Sequence, residues 1–314
     1  MEGKQTTGVY TMEGTVMLPD LTGQTFVHEK DRHGQSVMYQ MFEGLRTSNY
    51  FPLSCLQEIR TFKLRPDDIY FPGYLRTGNH WTWEMTQMLL QGKAETVPRF
   101  KDHLELIPVE ELVKHPSPRV LTCHFFMSQA PLDLKEKKCR VIYTMRDPKD
   151  VAVSLYKIHY DRHHLNTVYH GTFEDFLQLF LEHRVINNGI FDHLRDAEAY
   201  FNENPDIPVH FKLYEDSIKD PVQAVQKLSD FLGLPRNDDL CRAIAEKCHM
   251  SRMRVDKDAY AVKVDGDSLF FWKGVSGEWR NWFTEEMLED YYRVYEEKMA
   301  GSRFYERYSR ANDN

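Results

Sequence analysis

The sequence predicts an α/β fold, a single domain with a central parallel sheet flanked by helices on both faces, and three observations carry that expectation. Short runs rich in β-forming residues, at 69–71, 118–124, 140–145 and 209–214, alternate with helical patterns. Helices expected at 173–184, 222–232 and 240–248 fill the spaces between strands, as parallel crossovers require. Ile69-Tyr70-Phe71 breaks into a glycine-containing loop and then a helix with Trp81, Met85, Met88 and Leu89 on one face, stopped by Gly92. With 314 residues, 41% hydrophobic and 28% charged, there is ample apolar material for a large core; length alone would also allow two smaller domains.

Taken in order, residues 1 to about 45 are polar, glycine-punctuated and aperiodic, so a loosely organised arm is expected over 1–45. The folded domain is expected over 46–308 and a frayed tail over 309–314. Leu56 to Phe62 predicts a short helix, and Arg65-Pro66-Asp67-Asp68 is turn chemistry introducing the first strand. Pro72 and Gly73 interrupt that strand. Proline removes a ladder donor, so the strand is short and bulged there, or the sheet tolerates the gap at its end. The second strand ends in His124; the third runs into Arg146-Asp147-Pro148-Lys149-Asp150 and a helix bearing Val151, Leu155 and Ile158; the fourth closes on Tyr214-Glu215-Asp216.

The stretch Tyr74-Leu75-Arg76-Thr77-Gly78-Asn79-His80-Trp81 organises the rest. A strand that turns through a short loop into a helix leaves several amide N–H groups aimed at one point, where the helix dipole adds positive charge. Arg76 adds a full charge and Thr77 a hydroxyl, so the loop is suited to a phosphate or a sulfate. It lacks the second glycine and the Gly-Lys-Ser/Thr ending of nucleoside-triphosphate loops, and the three-glycine dinucleotide fingerprint. Taken alone it reads equally well as an ordinary turn. In parallel sheets ligands sit beyond the carboxyl ends of the strands. Those ends present Arg76, His124, Arg146 with Ser154 one to two turns on, and Tyr214: a polyanion site containing a potential base.

Composition bounds the partners. A net charge of -8 argues against nucleic acid as partner and requires any anion site to be a local basic pocket. Apolar runs fall far short of the ~20 residues that span a bilayer, and the N-terminus lacks the apolar core of a secretory signal, so no membrane association is expected. Cys55, Cys123, Cys139, Cys241 and Cys248 form no CxxC pair, which fits reduced thiols in a cytoplasmic protein. His159, Asp161, His163 and His164 have spacing compatible with a metal. A solvated helix end is the favoured reading, and no metal is expected.

These segments together resemble the cytosolic sulfotransferases, as a divergent member. The loop is similar to that family's Tyr-Pro-Lys-Ser-Gly-Thr-Thr-Trp. Arg146-Asp-Pro-Lys-Asp-Val-Ala-Val-Ser154 is similar to its 3′-phosphate segment, and Phe271-Trp-Lys-Gly-Val-Ser-Gly-Glu-Trp-Arg-Asn-Trp-Phe283 to its C-terminal Arg-Lys-Gly motif. Leu213-Tyr214-Glu215-Asp216 also matches, and the likeness runs from about Arg65 to Met299. It implies 3′-phosphoadenosine 5′-phosphosulfate (PAPS) as donor, 3′,5′-bisphosphoadenosine (PAP) as product, and a small acceptor. Loop amides with Arg76, Thr77, Gly78, Asn79 and His80 would hold the phosphosulfate. Arg146, Ser154, Lys273 and Gly274 would hold the 3′-phosphate, Trp81 and Tyr214 would flank adenine, and His124 would be the base.

The departures from the pattern are specific. The loop lysine is Arg76, which keeps charge but cannot readily donate a proton. The lysine two residues before the histidine is Thr122, and the arginine before Lys273 is Trp272. The adenine-side Thr and Phe are Cys248 and Met250. The dimer motif appears as Arg280, Thr284, Glu285 and Glu289, with a charge in place of its valine, which weakens the case for the family's homodimer. Two other readings stand beside the enzyme: a catalytically silent nucleotide-binding relative, and a kinase-like phosphotransferase that lacks both the Gly-Lys-Ser/Thr ending and a magnesium-binding carboxylate pattern. Phe125, Phe126, Tyr156 and Tyr160 suggest an apolar acceptor, although core packing explains them equally well.

Overall fold

The computed structural model describes residues 23–160, 168–235, 237–257 and 274–313, with short strands at 9–10, 16–17, 263–264 and 267–268. Five strands form the central sheet or its approach: β4 (Ile69–Pro72), β5 (Asp102–His103), β6 (Val120–Cys123), β7 (Arg140–Met145) and β8 (Val209–Leu213). Their order is β8-β7-β4-β6-β5 and every pairing is parallel. Ahead of them, β1 (Thr25–Lys30), β2 (Ser36–Phe42) and β3 (Leu45–Thr47) make a separate antiparallel sheet.

Side-chain alternation explains why helices cover both faces. Ile69, Phe71, Val120 and Ile142 point to one face, into a cluster with Trp83, Met85, Met88, Val225, Leu228 and Ile244. Those come from α1 (Asn79–Gln91), α6 (Pro221–Leu232) and α7 (Asp238–Lys247). Tyr70, Leu121, Val141, Tyr143 and Met145 point the other way, into a cluster with Val151, Leu155, Phe176, Leu194 and Tyr291. That cover is α2 (Pro148–Tyr160), α3 (Phe173–Leu181), α4 (Ile190–Glu203) and α8 (Glu285–Met299). Each such fully buried large side chain contributes about 1.5–3 kcal/mol.

Two segments differ from expectation. Residues 25–47, expected as a loose arm, form the antiparallel sheet. Both faces mix apolar and polar side chains, with Glu29 beside Val37 and Tyr39 on one and Gln40 beside Phe42 and Leu45 on the other, which hid the two-residue period; Val37, Tyr39 and Leu45 are buried. Asp31 Oδ1 builds the β1–β2 turn by accepting from His33 N (2.8 Å) and Gln35 N (2.9 Å). The tail, expected to fray, ends in a short 3-10 turn, Arg310–Asn312, and Asp313 Oδ1 accepts from the buried Lys149 Nζ at 2.5 Å. Pro72 lies at the end of β4, where the missing donor does not break the ladder; Gly73 N resumes it by donating to Cys123 O at 3.1 Å. Among the described residues no helix is long and apolar enough to cross a membrane.

Candidate active site

The loop between β4 and α1 is shaped by close approaches and one strained residue. A Cβ on Gly73 would lie 2.3 Å from Thr144 Oγ1, and one on Gly78 (φ +94°) 2.9 Å from Tyr214 Cδ2. Arg76 itself adopts φ +69°. A non-glycine residue in that region costs roughly 1–2 kcal/mol and marks a backbone held for a purpose. Thr77 Oγ1 donates to Tyr74 O (2.6 Å), and Asn79 Nδ2 donates to the same carbonyl (2.9 Å) while its Oδ1 accepts from Thr144 Oγ1 (2.7 Å). The side chains of Thr77 and Asn79 therefore hold the loop's shape.

Two guanidiniums converge on this loop. Arg76 Nε donates to Ser154 Oγ on α2 at 2.8 Å. Arg146, at the carboxyl end of β7, donates from Nη1 to Arg76 O (3.2 Å) and from Nη2 to Val275 O (3.1 Å), and lies 4.5 Å from the Tyr214 ring centroid. Asp150 fixes the far wall by accepting from Gly277 N (2.8 Å) and Trp279 N (3.0 Å). Among the described residues Arg146 Nε is buried with no hydrogen-bond partner. A buried guanidinium N–H left over beside a loop of amides fits a phosphate-bearing ligand.

His124 follows β6 and is 6% exposed. Its Nδ1 lies 2.7 Å from Gly73 O. A carbonyl only accepts, so Nδ1 carries the proton and Nε2 presents its lone pair. Burial first, then the neighbouring Lys101 ammonium, holds the imidazole well below its usual pKa, so the ring is neutral near pH 7. Its backbone N donates to Glu105, and its carbonyl accepts from Asn187 Nδ2 (2.5 Å). The imidazole thus stands at the root of the loop in a polar setting.

Other expected residues fall as follows. Trp81 and Tyr214 meet edge to face with centroids 5.7 Å apart, so no purine-wide slot separates them. A purine would lie against the pair instead of between its members. His80 sets its ring edge on Phe100 at 5.3 Å, and burial lowers its pKa. Gly274 has φ +63°, and a Cβ there would lie 2.7 Å from Met250 Cγ. Lys273, Trp272, Asp161, His163 and His164 lie outside the described residues. Phe125 packs on Phe42, and Tyr156 on Phe173, Phe176 and Trp282, which are core contacts. Arg280 Nη2 donates to Asp313 O (2.5 Å) and Glu289 pairs with Arg310, so two charged residues of the dimer motif engage the chain's own tail.

Sequence reading missed Lys101, His103 and Glu105. Lys101 Nζ is 3.3 Å from His124 Nε2, His103 sets its ring against His124 (centroids 4.9 Å), and Glu105 Oε2 lies 2.6 Å from His103 Nδ1. All three are buried. The available signal was their spacing: positions 101, 103 and 105 share one side of an extended chain.

A parallel sheet whose carboxyl edge gathers an amide-rich loop, two guanidiniums and an Nε2-basic histidine defines a transferase for an anionic donor. The sulfotransferase domain family matches residues 66–303, and the chain belongs to that family of enzymes. Among curated relatives it is 29% identical over 268 residues to sulfotransferase 1B1 of the dog, Canis lupus familiaris (78% of this chain, 88% of that one). It is 26% identical over 263 residues to the amine sulfotransferase of Oryctolagus cuniculus (79% of this chain, 85% of that one). Among solved structures, mouse sulfotransferase SULT7A1 complexed with PAP matches with a TM-score of 0.73 and 28% identity, covering 86% of this chain and 98% of that one.

Proposed function

We propose that the protein moves a sulfuryl group from PAPS to a hydroxyl or amine of a small, apolar or phenolic acceptor, by in-line displacement with His124 as general base. The observation that carries the reading is the tautomer of His124, set by Gly73 O at the root of the loop, which leaves Nε2 with its lone pair and no proton. PAPS supplies an activated sulfuryl group. The loop amides and Arg76 hold its phosphosulfate end. Arg146 and Ser154, with Gly274 and Lys273, hold the 3′-phosphate, and Trp81 and Tyr214 give the adenine an aromatic wall. His124 Nε2 takes the acceptor's proton as the acceptor atom bonds to sulfur. The bond from sulfur to the phosphate oxygen breaks, and its electron pair stays on that oxygen, where Arg76 meets the developing charge. The mouse structure complexed with PAP supports the donor, and the rabbit relative's name supports including amines in the acceptor class.

The test is to titrate the protein with PAP, then incubate it with labelled PAPS and a panel of phenols, alcohols and amines. PAP binding with label transfer to a panel member is expected. PAP binding with no transfer to any acceptor would favour a silent nucleotide-binding relative. No PAP binding would reject the donor site.

A further inference from the structure

Lys101 precedes the edge strand β5, which pairs with β6 in the register His103 to Thr122. Thr122 Oγ1 donates to Asp102 O at 2.9 Å, so the residue two before His124 fastens the strand whose first neighbour is Lys101. The lysine is 2% exposed, and among the described residues no carboxylate lies within 4.0 Å of its ammonium. Burying an ammonium without an ion-pair partner is costly, and proteins keep such groups where an anion will arrive. Its one close polar neighbour among the described residues is His124 Nε2 at 3.3 Å, the atom assigned to the acceptor's proton. The charged and titratable groups around it are Arg76 and His80 from the loop and helix start, His103 and Glu105 from its own segment, and Cys123 and His124 at the end of β6. Burial lowers its pKa to about 7.

We propose that Lys101 is a catalytic residue: its ammonium stands beside His124 Nε2 and donates hydrogen bonds to the oxygens of the sulfuryl group during transfer. In the resting protein that ammonium faces the lone pair of Nε2. When sulfuryl oxygens arrive they attract it, and Nε2 is released to the acceptor. Lys101 keeps its proton throughout; the proton that moves is the acceptor's. The inference rests on the donor reading above, and it adds a cation at a position that motif comparison leaves empty, since residue 122 is threonine.

PAP lacks the sulfuryl group, so comparing the two nucleotides isolates the contact. Calorimetric titration of wild type, Lys101→Met and Lys101→Arg with PAPS and with PAP, at low temperature and without acceptor, gives the test. Lys101→Met is expected to lose about tenfold or more in PAPS affinity while PAP affinity stays within about twofold, and Lys101→Arg to recover part of the loss. Removing a buried charge in favour of methionine should leave the melting temperature unchanged or raised, so a folding defect will be visible if present. His124→Ala should leave the PAPS-to-PAP affinity ratio within about threefold. An unchanged ratio in Lys101→Met overturns this inference alone; wild type that binds neither nucleotide overturns it together with the donor reading.

Discussion

Arg76 Nε and Ser154 Oγ meet at 2.8 Å, and this contact joins the anion loop after β4 to the helix after β7. The long Arg76 side chain has many rotatable bonds and so many orientations to lose on binding. The serine holds the guanidinium before any ligand arrives. Ser154→Ala should therefore weaken PAP binding by about 10–100-fold, the value of one hydrogen bond to a charged group, with little change in melting temperature. Titration calorimetry checks it.

Gly78 is required twice over, by φ +94° and by the 2.9 Å approach of a Cβ to Tyr214. Gly78→Ala should destabilise the fold by about 1–3 kcal/mol and displace the Tyr214 ring. Urea unfolding measures the first effect. Loss of PAP affinity larger than that of Ser154→Ala would report the second.

The four expected strands and the strand-loop-helix were legible because their patterns are local: β7 occupies the whole expected run 140–145, and α1 ends at Gly92 as its left-handed cap predicts. β5 was not, because two residues carry no periodicity and its side chains are charged. Helices α4 and α8 also escaped the reading, since their apolar stripes are interrupted by many charges. At the site, the residues on strand ends could be placed from the sequence. Lys101, His103 and Glu105 could not, because buried charges in a polar stretch look like a solvated loop until a neighbouring strand covers them.

Rate against pH follows from two buried groups with opposite requirements. In the proposed mechanism His124 is a neutral base, and burial with the Lys101 charge lowers its pKa, so activity is expected to persist on the acid side to below pH 6.5. The proposed role of Lys101 requires a cation, and burial brings its pKa to about 7, so kcat/KM is expected to begin to fall as pH rises through that value. Glu105 raises the pKa of both groups, and His103, His80, Arg76 and Cys123 complete their surroundings. Glu105→Gln should move both limbs to lower pH. A bell whose alkaline limb does not move in Glu105→Gln would disconnect the carboxylate from Lys101.

Glu105 also links this cluster to stability. Burial pushes its pKa up, but His103 and the His124 backbone N–H outweigh that and hold it at about 2, below the usual carboxylate range. A lowered carboxylate stabilises the fold above its unfolded pKa, and that stabilisation is lost as pH falls through the folded one. Equilibrium unfolding of wild type at pH 7 and pH 3, and of Glu105→Gln at pH 7, should show wild type losing part of this advantage at pH 3 and the variant lacking most of it at pH 7.

Proton removal by an imidazole seated at the base of the anion loop is the core of the account, and substituting that imidazole probes it most directly. Label transfer from PAPS by His124→Ala, measured beside its PAP affinity, should fall by about 100-fold or more while PAP binding stays within about threefold of wild type. Transfer at the wild-type rate with unchanged PAP binding would contradict it.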